Sequence, residues 1–347
     1  MTIILLTFAA GLALLVKGAD YFVRAAASLA RRLGVSELVI GLTLVALGTS
    51  VPELASVLAA SFRGEGGLGL GTVIGANVAD MLWIAGLAGL VGPMQTRREM
   101  IERDGLIMIV VTALLCLFAW NGSLGRLEAA VLLLAYSAYT LFLFTAGTGA
   151  EAGHGFVRFL RFLARFEFLR ILRRRLPDGA GSGENVAAAP VEAALTAGGG
   201  VVRDLALLAA SGAAIAFGAN LFVGAAVRLA ESFHVPAVMI GASIVSMGTT
   251  LPEMSVSVMA ARRGLSGIAL GNVLGSCIVN IGLIAGAAGL IRPLAVPRQG
   301  LPLLLGSLLF AGLLLLAMIR STWRIRRWEG ALMVAAYGAY IAMLFIR

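Results

Sequence analysis

The chain has 347 residues, of which 60% are hydrophobic and 13% charged, with a mean hydropathy of +0.96. A soluble domain is about a quarter charged, so these values exclude an ordinary water-soluble globule and make lipid the solvent for most of the chain. The net charge of +9 rests on 27 basic residues, all arginine except Lys17. In so apolar a chain such residues report topology first, and nucleic-acid binding is not the expected reading.

The first apolar stretch, from Thr2 to Val16, runs on through Lys17 and Asp20 without a small-residue cleavage site, which predicts a spanning helix and not a signal peptide. Lys17 and Asp20, three apart, read more simply as an internal ion pair than as part of an ion pathway. Stretches of roughly 17–25 apolar residues, the length that crosses a bilayer as helix, then recur. The predicted spans are 2–30, 35–62, 68–92, 104–120 and 126–147, followed by 200–232, 235–261, 267–291, 300–319 and 328–346. The predicted fold class is therefore an all-α polytopic membrane protein with ten transmembrane helices. Cys116 and Cys277 both fall in apolar runs and match neither a disulfide framework nor a zinc site.

Between the two sets of five lies the stretch that looks soluble. Residues 156–175 place Phe159, Phe162, Phe166 and Leu169 at helical spacing, with Arg158, Arg161, Arg165 and Arg173 largely on another face. This predicts an amphipathic helix on the bilayer surface, where anionic lipid would be its partner; a charge run that only enforces topology is the plainer alternative. The segment PDGAGSGENVAAAP that follows has no apolar period and reads as a flexible linker.

The two sets of five are copies of one another. Residues 48–53 read GTSVPE and 248–253 read GTTLPE, and the same offset of 200 aligns Gly71, Gly75, Gly86 and Pro93 with Gly271, Gly275, Gly286 and Pro293. From Val35 to Pro93 against Val235 to Pro293, 23 of 59 positions are identical without a gap. Gly18, Ala19 and Asp20 likewise fall on Gly218, Ala219 and Asn220. The expected domains are a first five-helix repeat over 1–150, a cytoplasmic amphipathic helix and linker over 151–199, and a second repeat over 200–347.

Because five is odd, the second copy enters the membrane from the opposite side, and inverted repeats of this kind are a transporter architecture. Arg31, Arg32, Arg97, Arg98, Arg103, the 158–175 cluster, Arg262, Arg263, Arg320, Arg324, Arg326 and Arg327 fall in loops on one side. Only Arg63, Arg126, Arg292, Arg298 and Arg347 fall on the other. The positive-inside rule then puts both termini outside and the central linker in the cytoplasm, in a multi-pass protein of the cytoplasmic (inner) membrane.

Glu53 and Glu253 stand inside the second and seventh spans, each preceded by a proline. An acid at a helix centre in the bilayer costs at least about 2.5–3.5 kcal/mol and is by default a functional residue. Proline removes a backbone donor, which is expected to free carbonyls around Ala46 to Ser50 and Ser246 to Thr250. Two carboxylates, these carbonyls and the hydroxyls of Thr49, Ser50, Thr249, Thr250 and Ser276 form an all-oxygen shell. That is the chemistry of a hard cation such as calcium, whereas zinc or copper would call for His or Cys. Any one hydroxyl could instead bond back to its own helix. The third and eighth spans add Asp80 and Asn280, beside the runs GTVIGAN and GNVLGSC; glycines there let helices approach closely, and no Walker lysine follows to support a phosphate loop.

The motifs GTSVPE and GTTLPE, each followed 27 residues after its glutamate by Asp80 or Asn280, resemble the α-repeats of the calcium/cation antiporter superfamily, and GTSVPE is similar to its sodium/calcium exchanger branch. The resemblance covers essentially all ten spans. It implies a secondary active antiporter, not an enzyme, with no cofactor, that exchanges calcium for sodium by alternating access; coupling to protons or transport of another divalent ion is the alternative. It further implies a calcium site of Glu53 and Glu253 with backbone oxygens of Thr49 and Thr249, and sodium sites drawing on Ala46, Thr49, Ser50, Ser246, Thr249, Thr250 and Ser276. Two departures stand out. Ala76 takes the place where the family usually has serine, and the acid and amide at Asp80 and Asn280 are exchanged relative to better-known members. A monomer is the expected unit.

Overall fold

The computed structural model describes residues 2–96, 98, 100–145, 155–165, 200–232, 248–295 and 300–346. Ser246, the linker and residues 166–175 lie outside this set. Chain order begins with α1 (Thr2–Leu33). The second predicted span is α2 (Glu37–Ile40), a π-helical turn (Gly41–Val45), α3 (Ala46–Thr49) and α4 (Val51–Arg63). The third is α5 (Gly66–Val78), a π-helical turn (Ala79–Ile84) and α6 (Ala85–Val91). There follow β1 (Met94–Gln95), a π-helical turn (Met100–Gly105), α7 (Leu106–Ala119), β2 (Ser123–Leu124), α8 (Arg126–Thr145) and α9 (Gly155–Ala164). The second half contains α10 (Gly200–Ser232), α11 (Leu251–Arg262), α12 (Ser266–Ile278), a π-helical turn (Val279–Ala285) and α13 (Gly286–Ile291). It closes with β3 (Leu294–Ala295), α14 (Leu301–Thr322), β4 (Arg324–Ile325) and α15 (Arg327–Ile346). Among the described residues, six helices are long and apolar enough to cross a membrane, and α2–α3 with α4, bent by 49°, make a seventh.

The longest helices, α1 and α10, run antiparallel. Phe8 stacks on Phe222 with ring centroids 4.4 Å apart, Gly11 faces Gly218 and Phe222, Gly18 faces Ser211 and Ile215, and Arg32 pairs with Asp204 at 2.7 Å. Residue numbers rise along one helix as they fall along the other. Gly11 and Gly218 permit the approach, since a Cβ on Gly11 would stand 2.6 Å from the Phe222 backbone nitrogen.

The two halves interlock at both ends of the bundle. At one end β1 pairs with β4, Met94 opposite Ile325 and Gln95 opposite Arg324, and the Gln95 amide donates to Ser266 Oγ at 3.2 Å. At the other end β2 pairs with β3, Leu124 opposite Leu294. Each ladder thus joins one strand of each half. These four short strands were not foreseen by the helical periodicity, because two-residue pairings carry no period.

Two sequence expectations change here. Asp20 does not pair with Lys17; it pairs with Arg24 one turn along its own helix at 2.9 Å and with Arg263, just beyond the end of α11, whose Nε donates to it at 2.7 Å. Spacing along one helix cannot reveal a partner 243 residues away. Helix α9 packs two of its phenylalanines on the protein, a contact that its period does not single out. Phe159 and Phe162 are buried against α8, with ring centroids 5.5 Å for Phe142–Phe159, 5.6 Å for Phe142–Phe162 and 6.1 Å for Tyr139–Phe159. Arg158, Arg161 and Arg165 stay exposed.

Candidate functional site

A helix starts at the same place in both halves, and in the first half it follows directly on the end of another. Ser50 (φ −83°, ψ 9°) and Thr250 (φ −85°, ψ 0°), each with ψ near 0° instead of the regular helical value of about −42°, immediately precede Val51-Pro52-Glu53 and Leu251-Pro252-Glu253. Pro52 and Pro252 fit the first turn of the new helix, where the missing donor costs nothing, and they withhold the amide that would have continued the old one. The freed stretch is narrower than the sequence suggests. The Ala46 carbonyl keeps the Ser50 amide at 3.0 Å, and those of Ser50 and Thr250 accept from Leu54 and Met254, each at 3.0 Å. Glu53 and Glu253 consequently start helices α4 and α11, where the positive end of the helix dipole favours an anion.

Glu53 and Glu253 are each 2% exposed, and Asp80 and Asn280 each 1%. Ser50 Oγ donates to Glu253 Oε1 at 3.1 Å and lies 3.3 Å from Ser276 Oγ. Thr249 in turn faces the Glu53 carboxyl. Hydroxyls and carboxylates are thus exchanged between the halves. Asn280 Nδ2 donates to Asp80 Oδ2 at 3.4 Å, so the acid and amide that the sequence places 200 apart meet across the centre. Asp80 and Asn280 both fall in π-helical turns, an irregularity frequent at functional sites that no residue pattern announced.

Several oxygens here have no hydrogen-bond partner within bonding distance among the described residues: both of Glu53, Oε2 of Glu253, and Oδ1 of Asp80, Asn280 and Asn77. No arginine or lysine pairs with these three acids among the described residues. Unpaired charge in such a place costs several kcal/mol, and an all-oxygen set of this kind is relieved by a hard cation. The described residues hold no group of three or more His, Cys, Asp or Glu side chains at metal-binding spacing. A cation shell must therefore be completed by hydroxyl, amide or backbone oxygen.

Of the remaining expected residues, Thr49 is buried; its hydroxyl reaches the Ala46 carbonyl at 3.3 Å and Asn272 Oδ1 at 3.1 Å. Ala46 and Thr250 are buried. Ala76 is buried where Ser276 offers its hydroxyl in the other half. Gly271 and Gly275 bring α12 against the second span, with a Cβ on Gly275 reaching 2.7 Å from both the Ala46 Cβ and the Leu42 carbonyl. The corresponding partners of Gly71 and Gly75, around positions 241–246, are outside the described residues. Cys116 and Cys277 are buried free thiols.

Cavities of about 450 Å³ and 150 Å³ reach the breaks from the side of α10. The larger is lined by Phe22, Leu44, Thr49, Pro52, Leu208 and Pro252 among others; the smaller touches Asn220, Thr249 and Pro252. Sequence reasoning missed Asn77, Asn272 and Ser257, all buried. A polar residue within a spanning helix was the available signal, and the glycine pattern around it drew the attention instead.

The profile of the family described as "Sodium/calcium exchanger protein" matches residues 3–145 and 204–346. The chain is 41% identical over 347 residues to the sodium/calcium exchanger MaX1 of Methanosarcina acetivorans, covering 99% of each. It is 30% identical over 340 residues to the inner membrane protein YrbG of Escherichia coli, covering 96% of this chain and 94% of that one. Its fold superposes on a structure of the sodium-calcium exchanger NCX_Mj with a TM-score of 0.74 at 27% identity and 99% coverage of both chains. With both halves of the chain matched around a shared oxygen-lined centre, this all-helical, multi-pass membrane protein belongs to the sodium/calcium exchanger family.

Proposed function

We propose that the protein exchanges calcium for sodium across the cytoplasmic membrane by alternating access, with Glu53 and Glu253 holding the calcium. The observation that carries this reading is the pair of helix starts presenting two buried carboxylates, three of whose four oxygens have no hydrogen-bond partner among the described residues. A dication bound between them replaces the protein contacts those oxygens lack. Backbone oxygens of Thr49 and Thr249 complete the calcium site. Ala46, Ser50, Ser246, Thr250 and Ser276, with the Thr49 and Thr249 hydroxyls, serve sodium. Asp80 and Asn280 flank both.

The architecture we propose is ten spans in two inverted repeats, 1–150 and 200–347, joined by the 151–199 segment. The antiparallel course of α1 and α10, the first helix of each half, supports it. So do the ladders: β1 with β4 gathers the arginine-rich loops around Arg98 and Arg324, while β2 with β3 gathers the sparser ones around Arg126 and Arg292. By the positive-inside rule the first end is cytoplasmic and both termini are outside. The α1–α10 pair slides past the broken helices, and the two cavities at Thr49 and Thr249 are the routes it opens and shuts.

Calcium-45 uptake into proteoliposomes tests the reading. Uptake is expected with sodium loaded inside and none outside, and not with an opposed proton gradient alone. Uptake driven equally by protons, or with no opposing gradient, would overturn it.

A further inference from the structure

Asn272 lies one turn before Ser276 on α12 and is 1% exposed. Its Nδ2 donates to the Glu253 backbone carbonyl at 3.3 Å and to Ser257 Oγ at 2.9 Å, while its Oδ1 accepts from the Thr49 hydroxyl at 3.1 Å. The amide has one consistent orientation. A backbone carbonyl only accepts, so the NH2 group must face Glu253, and the oxygen is left for Thr49. One side chain therefore ties the last residue of α3, in the first half, to the start of the broken helix α11, in the second.

We propose that Asn272 is a positioning residue for cation exchange, fixing the separation between Thr49 and Glu253. The inference rests on the assignment of those two residues to the cation site. Without the amide, the Thr49 hydroxyl turns wholly to the Ala46 carbonyl, already 3.3 Å away, as a lone hydroxyl in a membrane helix does. The Glu253 carbonyl loses its side-chain donor at the same time, and the two ends of the site are no longer held to a common distance. Sub-ångström placement of ligands matters most where two separate elements must meet around one ion.

The clamp is one-sided. The offset of 200 puts Asn272 on Thr72, which is not buried and whose hydroxyl bonds the Leu68 carbonyl of its own helix at 2.8 Å. The buried amide of the first half, Asn77, falls on Cys277 and donates to the Val73 carbonyl at 2.6 Å. No equivalent amide is seen on Thr249 among the described residues, and Thr249 lies beside the Glu53 carboxyl. Thr49 and Thr249, equivalent by sequence, thus have different neighbours.

The test is sodium-driven calcium-45 uptake by the parent, Asn272→Ala, Thr49→Val and the double variant, each checked for monodispersity in detergent. Loss of one buried polar contact predicts that Asn272→Ala raises the calcium concentration for half-maximal exchange about tenfold, with the maximal rate changed less than about threefold. Because both act through one contact, Thr49→Val on the Asn272→Ala background adds less than about twofold to that rise. Thr249→Val on the same background is additive. An unchanged calcium half-saturation, or full additivity of Asn272→Ala with Thr49→Val, overturns the positioning role while parent exchange stands. Absence of sodium-driven uptake in the parent overturns the underlying function instead. Should Asn272→Ala fail to give monodisperse protein, Asn272→Ser, too short to bridge, carries the same cycle.

Discussion

Glu53 carries two buried oxygens with no hydrogen-bond donor in range among the described residues, whereas Glu253 has one of its two satisfied by Ser50. Charge makes both indispensable to a dication in a water-poor site. Glu53→Gln and Glu253→Gln keep the volume and remove one anion each; both are expected to abolish calcium-45 exchange, a loss of about 100-fold or more, with the protein still monodisperse. Near-normal flux in either would remove that glutamate from the site. Ala76 and Ser276 make the subtler test. Ser276 presents a buried hydroxyl 3.3 Å from Ser50, and Ala76 has none to present. An unmade polar contact costs about 1–3 kcal/mol, which at about 1.4 kcal/mol per tenfold is readily measured. Ala76→Ser is therefore expected to lower the sodium concentration for half-maximal exchange. Ser276→Ala should raise it more than it disturbs calcium. Identical sodium curves for parent and both variants would show that neither position touches sodium.

Helices meet in this protein through glycine and through a few charge pairs. Gly275 lets α12 press onto Ala46 and Leu42 beside the break. Gly275→Val drives three extra carbons, the Cβ and two methyl groups, into that contact, so α12 must shift; a stability loss of about 1–3 kcal/mol is expected, read as a lower thermal midpoint in detergent with calcium exchange reduced in parallel. An unchanged midpoint would mean that the helices have room to spare. Asp20 and Arg263 link α1 to the end of α11, and α1 is tied to α10 through Arg32, Ser28 and Asp204. If α1 and α10 slide as a pair, the Asp20–Arg263 contact must break in each cycle. Its side chains are 20% and 30% exposed, so its strength is that of a screened pair, about 0.5–1 kcal/mol. Arg263→Gln should speed exchange about two- to fivefold at low salt, and the gain should shrink as ionic strength rises. A slower variant, or a gain indifferent to salt, would show that the pair does not restrain the sliding step. The offset of 200 puts Asn220 and Arg63 at the corresponding positions, so this charge pair has no charged counterpart in the other half.

For the molecule as a whole, each half supplies one strand to both ladders and one helix to the long antiparallel pair. Neither half is closed without the other, and the proposed cation site takes its oxygens from both. The Gly- and Ala-rich composition of segment 177–198 suits it only to span its ends. Its deletion, or a protease nick within it, is expected to leave calcium exchange within about twofold of the parent. Loss of exchange after a nick in purified protein would give this segment a part in transport.

Burial in lipid is a property of local composition, so the apolar stretches, the internal repeat and the unusual acids Glu53, Glu253 and Asp80 could all be read from residue types and spacing. The proline before Glu53 announced the helix break there for the same reason, since its missing donor is a local fact. Partners were not legible. Asp20 stands three residues from Lys17 in sequence yet binds Arg263; Phe159 and Phe162 have a period that suits lipid equally well but pack on Phe142 and Tyr139. Repeat symmetry made Thr49 and Thr249 look alike, and only the tertiary structure set Asn272 beside one of them. Periodicity states which face of a helix is apolar or polar, whereas the identity of the group opposite that face depends on how two distant segments cross, and that is decided by packing of the whole chain.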